Sequence, residues 1–300
     1  MSEPLRFIDR RALGLRLARA ARSGGGPDFL RARVAEDVAD RLAATLRVFP
    51  VALDLASPGL DVRRVLDGRA PGATTFRATP RERDGGALVC DLEALPFAAD
   101  RLDLVVSSLA LQFVDDLPGV FAQIRRALRP DGLFMAALLG GDTLVELRNA
   151  FAAAEVEIEG GVSPRVLPFA DVRALGGLLQ RAGFTLPVTD VDRVTVRYDS
   201  PFGLMADLRA WGATNTLVER RRTPLRRATL ARALDIYAQR YSDPDGRVRA
   251  TFEIIWLSGW APHPDQQKPL KPGSAEARLA DALGVLEGEV RPKGSPETPR

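Results

Sequence analysis

The hydrophobic and polar positions of this 300-residue chain follow two alternating periods. Short apolar runs predict strands in the first half of the chain, at residues 51–56, 73–78, 87–90, 102–108 and 133–139. Between the last two runs, Val120, Ile124 and Leu128 line one face of a helix, with Asp116 placed to cap it and residues 130–132 (Pro-Asp-Gly) to end it in a turn. A helix that joins two buried strands implies a parallel crossover, so the pattern predicts an α/β fold.

The remaining elements are predicted from the same periodicities. Leu30, Val34, Val38, Leu42 and Leu46 recur every four residues and predict a helix of about five turns. The other predicted helices are residues 10–22, 143–154 with Thr143 and Glu146 at capping-box spacing, 171–182 closed by Gly183 and Phe184, 201–213 and 223–241; the later strands are 194–200 and 251–260.

Composition shifts divide the chain into three parts. Residues 1–26 hold the first helix and a glycine-rich hinge, Ser23 to Pro27, and residues 27–284 hold the main domain with a helical insertion at about 201–241. Residues 285–300 are charged, rich in proline and glycine and without an apolar period, so we predict a disordered tail.

Charge and cysteine content narrow the classes of function. The net charge is +3, with 42 basic and 39 acidic residues interspersed, which does not favour a nucleic-acid-binding role. Cys90 and His263 are the single cysteine and the single histidine, so one chain cannot form a disulfide, a Cys/His zinc cluster or a two-histidine iron site, and we predict no metal site. No run approaches the ~20 apolar residues of a spanning helix, which predicts a soluble, cytoplasmic protein. The basic helix 10–22 is either a solvated face or a surface for a membrane or a partner.

Candidate site residues follow the ends of the predicted strands, where open α/β sheets bind ligands. They are Asp54 with the loop 56–59 after the first strand, Asp91 after the third, and the segment "SSLALQFVDD", residues 107–116 and including Ser108, at the end of the fourth. Asp91 can accept a hydrogen bond from an adenine amine or cap a turn, and both interpretations remain open. The stretch 140–143 (Gly-Gly-Asp-Thr) can receive an anionic or carbonyl group or simply cap a helix. The three tryptophans are predicted core residues, with a substrate-stacking role open for Trp211.

A longer pattern carries a family resemblance. The stretches "LDL", "DLEALPF", "RLDLVVSSLALQFVDDLPGVFAQIRRALRPDGLFMAALLGGDTLVELR", "GGVSPRVLPFADVRALGGLLQRAGF" and "SGWAP", in this order, resemble class I S-adenosylmethionine-dependent methyltransferases. More narrowly, the chain from about residue 7 to 284 is similar to the branch that contains a mitochondrial complex I assembly factor with arginine-hydroxylase function. It is similar, less closely, to the malonyl-carrier-protein O-methyltransferases of biotin synthesis.

The resemblance implies a doubly wound, seven-stranded, mostly parallel sheet with a Rossmann-like class I methyltransferase fold, an antiparallel last pair and helical lid elements. It also implies an S-adenosylmethionine site, and we assign no catalytic side chain. The cofactor-binding residues that it marks are Asp54, Ala56, Ser57, Gly59, Asp91, Leu92, Ser108 and Leu109.

The loop after the first strand departs from the family. Family members carry three glycines there, and the corresponding residues in this chain are Ala56, Pro58 and Leu60. Glycine tolerates positive φ and close contact, whereas proline fixes φ and has no amide hydrogen. The acidic residue expected at the end of the second strand is replaced by Thr79, and the nearest acids, Glu82 and Asp84, are predicted to lie in an exposed loop. We therefore expect a loop that cannot bend back sharply, a reshaped pocket and weakened cofactor affinity.

Three functions remain open from the sequence. The first is a bacterial protein that modifies a subunit of respiratory complex I during assembly, in the cytoplasm or peripheral to the inner membrane. The second is a small-molecule or carrier-protein O-methyltransferase. The third is a catalytically silent assembly chaperone that uses the fold only to bind its partner.

Overall fold

The computed structural model describes residues 6–24, 29–69, 72–80 and 88–266. The described residues up to His263 belong to one compact unit, and residues 264–266 form a turn outside it. The predicted tail, most of the predicted hinge and the acids Glu82 and Asp84 lie outside the described residues.

A seven-stranded sheet runs through the described residues, in the order β3-β2-β1-β4-β5-β7-β6. The first five strands of this order, β3, β2, β1, β4 and β5, pair in parallel with their neighbours, and β7 pairs antiparallel with both β5 and β6. The predicted doubly wound, mostly parallel sheet is therefore confirmed. The strands are β1 Val51–Leu55, β2 Thr74–Thr79, β3 Leu88–Val89, β4 Leu102–Ser108, β5 Leu128–Leu139, β6 Thr185–Tyr198 and β7 Val248–Trp260.

The described part of the chain contains eight α-helices. They are α1 Arg10–Arg22, α2 Phe29–Ala43, α3 Asp61–Arg69, α4 Leu117–Ala127, α5 Val145–Glu159, α6 Val172–Arg181, α7 Pro201–Ala210 and α8 Arg227–Tyr241. Seven of them, α2 to α8, pack on the two faces of the sheet. Apolar side chains of α2, α3, α5, α7 and α8 form one buried cluster, and those of α4 and α6 form the other. Every residue of β4 is buried, which explains its near-continuous apolar run.

Several predicted bounds are wrong. Helix α7 ends at Ala210 instead of residue 213, α8 begins at Arg227 instead of residue 223, and β6 spans Thr185–Tyr198 instead of residues 194–200. The helix predicted from Leu30 to Leu46 ends at Ala43, and Leu46 is fully exposed. The capping box is absent, because Thr143 and Glu146 bond to β7 instead. The Thr143 hydroxyl lies 3.1 Å from both the amide nitrogen and the carbonyl oxygen of Glu253, and the Glu146 carboxylate accepts hydrogen bonds from the amide and hydroxyl of Thr251.

The Pro-Asp-Gly stretch does not end its helix in a turn, as predicted. Residues 128–132 are already part of β5, and α4 ends directly before them at Ala127. Asp131 adopts a positive φ of 63°, and its amide donates to the Ala261 carbonyl (3.0 Å). The stretch is therefore the bent first part of a strand. The predicted Asp116 cap is confirmed, since its side chain accepts from the Gly119 amide at 2.9 Å.

Candidate functional site

A cavity of about 730 Å³ opens beside the carboxyl ends of β1, β3 and β4. Helix α1 lies over it and contributes Leu13, Gly14 and Leu17 to its wall, and Trp211 after α7 contributes another part. Trp211 itself packs edge-on against Phe29 and Phe252, so this part of the wall is apolar. The cavity lies where α/β sheets of this kind bind ligands, and its size is in the range of roughly 300–1,000 Å³ typical of small-molecule sites.

The loop after β1 bends sharply although it lacks the family glycines. Ala56 adopts a φ of 60°, in the left-handed region that glycine favours, and Gly59 follows with a φ of 74°. The Ala56 amide donates to the Ala78 carbonyl at 2.8 Å, and the Ser57 hydroxyl accepts from the Ser108 amide at 3.0 Å. The expectation that this loop cannot fold back is therefore wrong. The bend is made by a strained alanine and held by hydrogen bonds to β2 and β4.

A buried ion pair lies under this loop. The Arg77 guanidinium donates to the Asp54 carboxylate at 3.1 Å and also to the Ser57 carbonyl oxygen. Asp54 is 0% exposed and Arg77 is 3% exposed. Burial raises the pKa of Asp54, and this outweighs the opposing effect of the hydrogen bonds from Ser57 and of the charge of Arg77. Both groups therefore depend on each other, because neither is in contact with enough water to be stable alone.

Among the described residues at the end of β2, no acidic side chain lines the cavity. Thr79, at the position where the family pattern has an acidic residue, is buried, and its carbonyl accepts from the Cys90 amide at 2.9 Å. Arg77, two residues earlier on the same side of the strand, lines the cavity instead.

Asp91 both caps a turn and lines the cavity. One carboxylate oxygen accepts from the Glu93 amide at 3.0 Å, as the turn interpretation predicts, and the other accepts from the Arg10 guanidinium at 2.9 Å. Arg10 also pairs with Glu93. Burial alone would raise the pKa of Glu93, but hydrogen bonds from Arg10 and from the Asp115 amide outweigh it and leave this pKa below its usual value. The first turn of α1 is thus tied to the end of β3.

Several further contacts hold α1 in place. The Asp115 carboxylate accepts from the amides of Phe7 and Ile8 at 3.0 Å. Asp9 caps the helix through the Ala12 amide and pairs with Arg220 at 2.8 Å. The cavity is therefore covered by a helix that ionic and polar contacts attach at its amino-terminal end.

The predicted site residues divide into two groups. Asp54 and Ser108 lie behind the wall, where they fix the β1 loop through Arg77 and Ser57. The others line the cavity; they are Ala56, Ser57, Gly59, Asp91, Leu92 and Leu109. The sequence did not identify three arginines that line the cavity, Arg10, Arg31 and Arg77. The alternation of β2 could have placed Arg77 on the side of Thr79, but no local pattern identifies Arg10 or Arg31.

The stretch after β5 does not serve the cavity as a cradle for an anion. The Gly140 amide donates to the Glu253 carbonyl at 2.8 Å, and the Thr143 amide donates to the Gly140 carbonyl at 3.0 Å. These two amides are thus already used within the fold. Trp256, predicted to be a core residue, is buried.

The described residues hold neither a candidate metal site nor a candidate membrane-spanning helix. They contain no group of three or more His, Cys, Asp or Glu side chains placed to hold a metal ion. They also contain no helix with the length and apolar character needed to cross a membrane.

Known proteins that are similar to this chain include methyltransferases and an arginine hydroxylase. A family model described as a methyltransferase domain matches residues 67–136. The chain is 39% identical over 274 residues to "Arginine-hydroxylase NDUFAF5, mitochondrial" of Danio rerio, covering 87% of this chain and 85% of the relative. It is 38% identical over 252 residues to a malonyl-[acyl-carrier protein] O-methyltransferase of Laribacter hongkongensis, covering 84% and 77%. A solved methyltransferase-like structure from Bacillus halodurans has a TM-score of 0.49 and 15% identity, covering 77% of this chain and 99% of that one.

The strand order and the cavity beside β1 and β4 define a protein with the class I methyltransferase fold. The chain belongs to the methyltransferase-like family that includes the mitochondrial arginine hydroxylase.

Proposed function

We propose that this protein modifies a protein subunit during the assembly of respiratory complex I and that its cavity holds an adenosylmethionine-type nucleoside. The relationship to an arginine hydroxylase extends over 87% of the chain, which supports a similar role. The observation that carries the proposal is the cavity itself. It joins the β1 loop, Asp91 and Leu109 beneath a helix that shields them from solvent.

The residues present are compatible with such a nucleoside. The bend at Ala56 leaves the cavity open beside the loop, and Asp91 offers a carboxylate at the wall. Ser57, Leu92 and Leu109 supply the rest of the surface on which a nucleoside would lie. When bound, S-adenosylmethionine supplies a methyl group on a sulfonium.

The chain's own contribution is positioning and exclusion of water. The ion pair of Asp54 with Arg77 and the bond from the Ser108 amide to Ser57 fix the floor, so the cavity need not form upon binding. Helix α1 and the aromatic contacts of Trp211 cover part of the cavity and so limit the access of water, which strengthens polar contacts inside it. A protein side chain that enters the cavity would be held beside the nucleoside.

Titration calorimetry with S-adenosylmethionine and S-adenosylhomocysteine tests the nucleoside site. We expect wild-type protein to bind at least one of them, and Asp91→Asn to weaken binding about tenfold or more. Asp67→Asn is the matched control, because Asp67 pairs with Arg63 on α3 outside the cavity wall. Absence of heat with either ligand at millimolar concentration would refute the nucleoside site.

Assembled NADH dehydrogenase, measured on native gels from a strain that lacks the gene, tests the role in assembly. The wild-type gene and the Asp67→Asn gene should restore the complex, and Asp91→Asn should restore less of it. A normal level of complex in the deletion strain would contradict the proposal.

A catalytically silent chaperone is the second candidate, because two features of the β1 loop lower its capacity to hold a nucleoside. Pro58 has no amide hydrogen to donate, and the Asp54 carboxylate is already paired with Arg77. If Asp91→Asn abolishes nucleoside binding in calorimetry but restores complex I fully, the chaperone role replaces the enzymatic one.

The proposal also places the protein in the bacterial cytoplasm, at the inner membrane where a complex I subunit would meet it. The exposed face of α1 carries Arg11, Arg19 and Arg22 together with Leu15, which is 62% exposed. Such a face suits contact with an anionic surface. Wild-type protein should sediment with anionic vesicles, whereas a variant with Arg11, Arg19 and Arg22 replaced by Gln should stay in the supernatant. Equal fractions of the two proteins in the vesicle pellet would contradict this contact.

A further inference from the structure

The Asp91 carboxylate in the cavity wall already has a partner on each of its two oxygens. One oxygen accepts from the Glu93 amide at 3.0 Å, and the other accepts from the Arg10 guanidinium at 2.9 Å. Asp91, Glu93 and Arg10 all line the cavity. A ligand N–H group that approaches this carboxylate therefore meets one partner that belongs to the backbone and one that belongs to a side chain.

The two partners of Asp91 differ in how easily they can leave. The Glu93 amide is part of the turn after β3, which a second bond closes from the Ala94 amide to the Asp91 carbonyl at 3.1 Å. The Arg10 guanidinium ends a long side chain that is 43% exposed, and the Asp91 side chain is 51% exposed. An ion pair between groups this exposed contributes little stability, because water solvates both groups when the pair breaks. Arg10 is thus the partner that a ligand can displace.

Helix α1 can keep its place when Arg10 leaves Asp91. Arg10 also pairs with Glu93, so its guanidinium retains a carboxylate partner. The helix has further attachments that do not involve Asp91. Asp9 pairs with Arg220 at 2.8 Å, and Arg16 donates to the carbonyl of residue 214 at 2.9 Å. The side chain of Arg10 can therefore move while the helix stays over the cavity.

We propose that the Arg10 guanidinium is an internal competitor for the Asp91 carboxylate, which an amine of the bound nucleoside displaces. The adenine amine is a neutral N–H donor and can replace one guanidinium N–H on this carboxylate. The inference rests on the proposed nucleoside site and describes the regulation of that site. Its consequence is that Arg10 holds the nucleoside affinity below the value that the cavity would otherwise reach.

The experiment is titration calorimetry with S-adenosylhomocysteine on the full-length protein and four variants. They are Arg10→Gln, Arg11→Gln, Asp91→Asn and the double variant that combines Arg10→Gln with Asp91→Asn. Arg11→Gln is the matched control, since Arg11 is the next residue of α1, is exposed and does not line the cavity. The Tm of each variant shows that it is folded.

Removal of the competitor should raise the affinity. Arg10→Gln should bind S-adenosylhomocysteine about two- to fivefold more tightly than wild type, and Arg11→Gln should bind with the wild-type affinity. In the Asp91→Asn protein the same Arg10 substitution should give no gain, because the carboxylate for which Arg10 competes is absent. High salt should raise the affinity of wild type toward that of Arg10→Gln, because it screens the exposed ion pair.

Three results would overturn the inference while leaving the nucleoside site in place. The first is equal or weaker binding by Arg10→Gln, and the second is an equal gain in the Asp91→Asn protein, which would indicate a loosened helix instead of competition. The third is a wild-type affinity that stays constant or falls as salt is added, a result that needs no variant. Failure of every protein to bind S-adenosylhomocysteine overturns the site and the inference together.

Discussion

Replacing Arg77 with methionine removes the positive half of the buried pair while preserving most of the side-chain volume. The Asp54 carboxylate, 0% exposed, would then keep the Ser57 amide at 3.2 Å as a partner but lose the neighbouring charge. Breaking a buried ion pair in this way costs about 3–5 kcal/mol, because the remaining charge is neither solvated nor neutralised. We expect a loss of stability of this size at neutral pH.

The loss should depend on pH in a defined direction. Burial already raises the pKa of Asp54, and Arg77 is among the groups that lower it, so its removal should raise this pKa further. A carboxyl group with a higher pKa in the folded than in the unfolded protein binds more protons when folded. Its contribution to stability is therefore fully present below the unfolded pKa of about 4 and is lost as pH rises through the folded pKa. The gap between wild type and variant should widen from acidic to neutral pH.

Thermal unfolding at about pH 5 and pH 8 measures both effects. A chain of this size loses about 2–4 °C in Tm per kcal/mol, so Arg77→Met should unfold roughly 6–20 °C below wild type at the higher pH. Adding Asp54→Asn should recover part of the loss, because no charge is left buried, and should flatten the pH dependence. Arg63→Met, which removes a helix-surface pair, should change Tm little. A loss under about 1 kcal/mol for Arg77→Met, or no recovery in the double variant, would refute the reasoning.

Three further outcomes are expected. Arg10→Gln should accelerate hydrogen exchange in α1 with little loss of global stability, because the Arg10 pairs are about half exposed. The control variant Arg11→Gln should leave hydrogen exchange in α1 unchanged. Equal exchange in the two variants would contradict the attachment of α1 through Arg10. Because Ala56 has a φ of 60°, Ala56→Gly should stabilise the protein by about 0.5–1 kcal/mol and Ala56→Val should destabilise it, as measured by Tm. A higher Tm for the valine variant than for the glycine variant would show that the loop is not strained at this residue. Burial and the nearby Asp91 charge raise the pKa of the Cys90 thiol, so alkylation of Cys90 should be slow at neutral pH and faster as pH rises. Because Cys90 lines the cavity, S-adenosylhomocysteine should slow this alkylation further. An alkylation rate that the nucleoside does not change would count against occupation of the cavity.

Much of the fold follows from local patterns because burial dictates them. The seven residues of β4 are buried on both faces, so the sequence marks its bounds without error. Helix α6 begins after the Asp171 cap and ends at Arg181, and Gly183, whose φ is 85°, closes it as the sequence predicts. Helix α3 was not predicted, because Asp61–Arg69 has only two buried apolar residues among charged ones.

The errors arose where tertiary partners compete with local signals. Thr143 and Glu146 have the spacing of a helix cap, but the neighbouring strand β7 offers them backbone and hydroxyl partners. Ala56 adopts a glycine-like conformation because bonds to β2 and β4 compensate for its strain. Such compensation comes from residues far away in the sequence, so the loop composition alone could not reveal it.

The sequence predicted the position of the cavity but not the arginine side chains that line it. Asp91 and the β1 loop follow predicted strand ends, and both line one cavity. The arginines that line this cavity come from α1, α2 and the interior of β2, and only the packing of these elements brings them together. Their pairing with Asp91, Asp61 and Asp54 is therefore a property of the folded chain.

A crystal structure of the protein grown with S-adenosylhomocysteine tests the central claim most directly. The account predicts an ordered nucleoside beneath α1, in contact with the loop 56–59 and with Asp91 and Leu109. A cavity without nucleoside density at saturating ligand, or a nucleoside bound elsewhere on the protein, would contradict it.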